Sequence, residues 1–200
     1  MPSSIFTSNS AAIGFVIVLV CFFVSEGVGR MISRTRRRGA KVPRVGSQRS
    51  VASNITVYFA WMASLAFSGV FAKIGVALLP DWVYYVGIAV MLAGIAFRQW
   101  AIAVLGRYFS SVIGVQEEQK VVESGPYRSI RHPSYTGVLI FYAGMGLAVQ
   151  SWAAVLVDIT IFGLVYCYRI FLEERILISE LGNSYVEYMR RTKRLIPKIM

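Results

Sequence analysis

The sequence predicts an all-α, polytopic membrane protein with five transmembrane helices, and three observations predict it. Apolar residues make up 56% of the 200-residue chain, and the mean hydropathy of +0.58 lies well above that of a soluble domain. They gather into five runs, 11–28, 55–79, 82–104, 133–150 and 152–172. Charge is scarce, at 16% of residues, and lopsided, with 21 basic against 10 acidic side chains. Backbone groups in lipid must satisfy one another within a segment, so the runs are expected as helices.

The first run, like the fourth, has only 18 residues. As a helix it reaches about 27 Å, just enough for the ~30 Å hydrocarbon core. It lacks a basic n-region and a small-residue cleavage site, so it is expected to be a retained span. The second and third runs are joined only by "LPDW", and the fourth and fifth by "QSW". Both joints predict tight helical hairpins, with Trp82 and Trp152 at interfacial depth. The remaining connections are long and polar. With no internal repeat or low-complexity tract, residues 1–200 read as one integral-membrane domain, its working part in 106–132 and 173–200.

Orientation follows from the cations. Arg30, Arg34, Arg36, Arg37, Arg38, Lys41, Arg44 and Arg49 fill the first loop; Arg107, Lys120, Arg128 and Arg131 fall in the third; Arg175, Arg190, Arg191, Lys193, Arg194 and Lys198 are in the tail. That puts 18 of the 21 on one side, so the N-terminus is expected outside and the C-terminus in the cytoplasm. A net charge of +11 also suits anionic lipid head groups. Nucleic acid is not expected as a partner, because no aromatic residues interleave with the cations. Cys21 and Cys167 lie inside apolar runs, and His132 is the sole histidine, so no metal site is expected.

Charges inside spans are expensive and usually have partners. Lys73 and Arg98 fall near span ends, where snorkelling is the plain reading. Asp158 is expected to pair with a neighbouring helix. Arg169 sits one helical turn before Glu173 in "YRIFLEERILISE". Two readings stand: an ordinary i, i+4 ion pair closing a span, or a guanidinium aimed at an anionic group and steadied by the carboxylate.

The densest chemistry is "GPYRSIRHPSYTG", residues 125–137. Gly125-Pro126 marks a turn, and Pro133 suits the first turn of a helix. Arg131 and His132 then stand at the positive end of the fourth span, a mouth that favours anions. In "ELGNSYVEYMRRTKRLIP" the fifth helix is expected to stop at Gly182. Ser184 or Asn183 would cap a short helix carrying Tyr185, Tyr188 and Met189 on one side, either covering the pocket or resting on the interface.

"ESGPYRSIRHPSYTG", a tight hairpin, "R-x-x-x-E-E" and "LGNSYVEYMRR…IP" together resemble the isoprenylcysteine carboxyl methyltransferase family, related to the phospholipid methyltransferases. The likeness covers about residues 106–198, with a one-residue gap in 113–119. It implies an integral-membrane enzyme using S-adenosylmethionine, in a pocket formed by the cytoplasmic loop, helix ends and C-terminal tail. By the same resemblance Tyr127, His132, Pro133, Ser134 and Tyr135 line the cofactor site. Gln119 and Val122, from a strand-like stretch, add contacts, and Glu173 with Glu174 reaches the cofactor's polar end. Arg169 holds the substrate carboxylate, which with Glu173 makes up the catalytic pair.

No GxGxxG fingerprint occurs, so a soluble methyltransferase architecture is excluded. The acceptor is expected to be a prenylcysteine-like molecule or another lipophile, methylated on its carboxylate. The alternatives are lipid-amine N-methylation, where Glu173 or Glu174 would take the proton, a membrane NADPH-dependent reductase, or a non-catalytic scaffold. Oligomeric state is not legible.

Overall fold

The structure is a computed structural model and describes residues 9–36, 44–75, 78–110, 113–115 and 119–196. Six α-helices follow one another: α1 (Asn9–Arg36), α2 (Arg44–Ile74), α3 (Val83–Leu105), α4 (Pro133–Ala148), α5 (Trp152–Leu181) and α6 (Asn183–Arg191), with single 3-10 turns at Gly106–Tyr108 and Gly125–Arg128. The expected all-α class holds among the described residues. The two hydropathy-defined N-terminal runs extend further than their apolar cores. α1 continues past Val28 to Arg36, and α2 begins at Arg44 rather than Ile55 and ends at Ile74 rather than Leu79. A helix has no reason to stop where lipid does. Residues 37–43, with Arg37, Arg38 and Lys41 of the expected basic loop, lie outside the described residues, as do Lys198 and the side chains of Arg34, Arg36, Arg44 and Arg49.

Among the described residues, four helices are long and apolar enough to cross a bilayer, over Asn9–Met31, Ala52–Phe71, Val83–Tyr108 and Trp152–Leu181. The remaining expected span is α4, with 16 residues; at 1.5 Å per residue it reaches only about 24 Å. It differs from the others in its surroundings too. Phe141, Met145 and Val138 are completely or nearly completely buried, because α3 packs along one side of α4 and α5 along the other. The α3–α4 seam is made of glycines. A Cβ on Gly87 would stand 2.2 Å from the Ala148 nitrogen, and one on Gly144 would stand 2.6 Å from that of Met91. Without a hydrophobic drive between helices in lipid, such close approach lets backbone dispersion contacts hold the pair.

The two hairpin turns lie side by side. The Leu79 amide donates to the Gln150 carbonyl at 2.7 Å, and the Gln150 side-chain amide donates to Asp81 at 3.1 Å. Ser151 caps α5 by accepting from the Ala154 amide. At the far end α5 stops at Gly182, as expected: its φ is 59° and its amide donates to the Ile178 carbonyl.

α1 packs on α3, and α2 packs on α5. Phe22 of α1 stacks on Phe141 at 3.9 Å between ring centroids, and Tyr142 of α4 stacks on Phe162 of α5. Asp158 finds the expected neighbour, accepting from Ser64 of α2 at 2.6 Å. Arg98 corrects the snorkelling expectation. It is 7% exposed and turns inward to pair with Glu26 of α1, its Nη2 donating to Oε2 at 2.7 Å. A partly buried carboxylate at the same depth competes successfully with the distant head groups. Lys73 is exposed.

Candidate functional site

At the Arg169 end of the bundle the helices leave a cavity of about 830 Å³. Its floor is the start of α4. Pro133 opens that helix and has no amide hydrogen to leave unsatisfied, while the His132 carbonyl accepts from the amides of Tyr135 and Thr136. His132 is thereby fixed as the residue before the helix, 5% exposed, with its ring stacked parallel on Tyr135 at 5.6 Å. Its Nδ1 lies 3.9 Å from Glu173. Its Nε2 lies 3.5 Å from Glu174 and, though buried, makes no hydrogen bond.

Three side chains form the polar wall. Arg169 Nε donates to the Tyr135 hydroxyl at 2.8 Å, and that hydroxyl donates onward to Glu173 at 2.7 Å. The expected contact between Arg169 and Glu173 therefore runs through a phenol. Arg169 Nη1 also donates to Asn54 at 2.8 Å and Ser53 at 3.2 Å, residues of α2. The guanidinium plane is thus set from two helices.

The tail closes one side. The Arg131 amide donates to the Lys193 carbonyl at 2.7 Å, the Lys193 amide to Ser129 at 3.0 Å, and the His132 amide to Arg194 at 3.0 Å. This short parallel pairing straps residues 192–195 along 129–132. Glu174 locks it, accepting from Arg131 at 2.8 Å and from Arg194 at 3.0 Å. Arg131, expected to strengthen the anion-friendly mouth, is instead spent on Glu174 and the Met189 carbonyl. α6 covers the cavity with Tyr185 and Tyr188, both buried. The Tyr188 hydroxyl donates to the Tyr127 carbonyl at 2.7 Å. Burial pushes the phenols of Tyr127, Tyr185 and Tyr188 above their usual range, which keeps them neutral donors. Neither Asn183 nor Ser184 caps α6: Gly182 occupies the cap position, and the Ser184 hydroxyl donates back to the Leu181 carbonyl.

Of the ten residues expected at the site, Gln119, Val122, Tyr127, His132, Ser134, Tyr135, Arg169 and Glu173 line the cavity. Pro133 and Glu174 do not: the first shapes the helix start, and the second faces the tail. Residues 119–123, expected as strand-like, have irregular backbone without a ladder. Sequence reasoning missed Glu26 and misplaced Arg98, both of which line the cavity. A signal for them existed. Each is a lone charge near the same-side end of an apolar run, and opposite signs at one depth suggest a pair.

Fold and cavity define an integral-membrane helical protein with a partly open, partly charged site. The model of the isoprenylcysteine carboxyl methyltransferase (ICMT) family matches residues 86–179. Protein-S-isoprenylcysteine O-methyltransferase B of Arabidopsis thaliana is 30% identical over 118 residues, 58% of this chain and 60% of that relative. The probable protein-S-isoprenylcysteine O-methyltransferase of Oryza sativa subsp. indica is 28% identical over 188 residues, 92% of this chain and 95% of the relative. The solved structure of the eukaryotic intramembrane Ras methyltransferase ICMT superposes with a TM-score of 0.57 at 23% identity, covering 75% of this chain. That likeness is one of fold, and this chain spans 53% of the solved one.

Proposed function

We propose that this chain is an integral-membrane methyltransferase that moves a methyl group from S-adenosylmethionine to the carboxylate of a prenylcysteine-like acceptor. The observation that carries the reading is the Arg169–Tyr135–Glu173 array: a guanidinium, oriented from two helices, on the wall of a cavity lined by both polar and apolar side chains. The family relatives named for isoprenylcysteine O-methylation support it.

The residues present fit the cofactor. A carboxylate (Glu173) beside stacked aromatic rings (His132, Tyr135) suits a molecule carrying a sulfonium and an ammonium. The buried, unpartnered Nε2 of His132 offers a polar contact. Tyr127, Ser134, Gln119 and Val122 would hold the remainder, and the volume is that of a small-ligand site. When bound, the cofactor supplies a methyl group activated by positive sulfur.

The protein's own part is then positioning. A carboxylate acceptor is anionic at neutral pH, so no side chain needs to remove a proton. Arg169 would pair with the acceptor carboxylate and orient it toward the cofactor; orientation of this kind is worth several kcal/mol of barrier. Tyr135 keeps the guanidinium from collapsing onto Glu173. Tyr185 and Tyr188 keep water out. We further read α4 as a fifth span shielded by protein, the N-terminus as outside, and the site and C-terminus as cytoplasmic. The basic loops would then face anionic lipid.

Calorimetry on the purified chain in detergent tests this reading, with S-adenosylhomocysteine and, separately, NADPH as ligands. Binding of the first and not the second is expected. Absence of S-adenosylhomocysteine binding at high micromolar concentration would sink it.

A further inference from the structure

Outside the Arg169 array, the cavity wall carries a second arginine that the reaction above does not use. Arg98 is 7% exposed and spends three nitrogens on two helices: Nε and Nη2 go to the two oxygens of Glu26 on α1, and Nη1 donates to the Ser134 carbonyl on α4 at 3.0 Å. Its backbone abuts Gly137, where a Cβ would come within 2.8 Å of the Arg98 nitrogen. The two backbones are therefore in close contact there, and the Arg98 side chain ties α1 to the first turn of α4.

That tie sits where it matters for the cavity. On α1, Phe23, Glu26, Gly27 and Arg30 share one face and line the cavity; on α2, Val57, Tyr58 and Trp61 do the same. Yet α1 packs on α3 and α2 on α5, so each flanking helix is steadied by a different part of the bundle. Arg169 steadies α2 through Ser53 and Asn54. One helical turn before Glu26, Phe22 holds α1 by stacking on Phe141. A buried ion pair is seldom worth more than apolar side chains of the same volume, so its presence here favours a geometric role over a stabilising one.

We propose that Glu26 and Arg98 are positioning residues for the acceptor. They hold the cavity-lining face of α1, with Phe22 and Phe23, at the distance from α4 that a lipophilic chain fills. This rests on the methyltransferase reading. The cofactor wall is held independently, by Glu174 and the tail strap, and Arg98 keeps its bond to Ser134 when only Glu26 is changed. Loss of Glu26 therefore separates acceptor binding from cofactor binding.

The test uses the full chain as wild type, Glu26→Gln, and the double variant Glu26→Leu with Arg98→Met, which removes both charges and leaves no buried ion unpaired. S-adenosylhomocysteine affinity is measured by calorimetry, and KM and kcat with N-acetyl-S-farnesylcysteine as acceptor. Glu26→Gln is expected to raise the acceptor KM about tenfold, with cofactor affinity within about twofold and kcat within about threefold of wild type; the double variant is expected to raise KM at least as much. An unchanged KM in either folded variant overturns the proposal. So does a KM and a cofactor affinity that weaken by one common factor, or a kcat that falls at unchanged KM. Failure of both variants to fold would assign the pair to stability alone and overturn it too. A wild-type chain that binds no S-adenosylhomocysteine would instead strike the methyltransferase reading.

Discussion

Replacing Tyr135 with phenylalanine removes one oxygen and leaves the ring that stacks on His132. That oxygen accepts from Arg169 at 2.8 Å and donates to Glu173 at 2.7 Å. A hydrogen bond to a charged group is worth about 1.5–3 kcal/mol. Arg169 would keep Asn54 and Ser53, so the guanidinium is not set loose; it loses the bond that fixes its rotation toward α4. The expected loss in transition-state stabilisation is one such bond, about 2 kcal/mol, or roughly 30-fold in kcat/KM for a prenylcysteine acceptor. Cofactor affinity should hold within about threefold, because the ring stays on His132, and Glu173, though it loses the hydroxyl's bond, keeps its charge. Steady-state kinetics beside calorimetry with S-adenosylhomocysteine reads both numbers. A cofactor affinity that falls as far as kcat/KM would place the hydroxyl against the cofactor. An unchanged kcat/KM would show that the Arg169–Tyr135–Glu173 array does not orient the acceptor.

Arg169→Ala should lose turnover with the prenylcysteine acceptor and retain S-adenosylhomocysteine affinity; equal loss of both would move Arg169 into the cofactor pocket. His132→Ala removes a stacked ring from the cavity wall, with its Nδ1 3.9 Å from Glu173, and should weaken S-adenosylhomocysteine binding by about tenfold in a calorimetric titration. An unchanged affinity refutes its assignment. Glu174→Gln leaves Arg131 and Arg194 facing a neutral amide, and should lower thermal stability by about 2–3 kcal/mol while speeding tryptic cleavage after Lys193 and Arg194. A tail as resistant as the wild type's would show that the backbone pairing alone suffices.

How much of this was visible in the residues depends on the range of the interaction. Lipid imposes helices on long apolar runs, so α1, α2, α3 and α5 could be read from hydropathy, and the stop at Gly182 from local chain chemistry. The segment from Tyr127 to Tyr135 was legible because Gly125-Pro126 and Pro133 dictate a turn followed by a helix start. The shortness of α4 was less so: hydropathy does not tell an apolar helix wrapped in protein from one wrapped in lipid. Pairings across the bundle were hardest. Arg98 with Glu26, and Arg131 with Glu174, join residues 72 and 43 positions apart, and no local pattern records which acid a buried arginine will meet. The i, i+4 spacing correctly put Arg169 and Glu173 on one face, yet gave no sign that a phenol from another helix would stand between them.

The most direct measurement is transfer of a labelled methyl group from S-adenosylmethionine by the purified chain in lipid nanodiscs to N-acetyl-S-farnesylcysteine. The proposed chemistry predicts label in the acceptor that mild base releases as volatile methanol, because the bond formed is a carboxyl methyl ester. Label that stays in the acceptor after base, or no transfer from a chain that binds the cofactor, would contradict it.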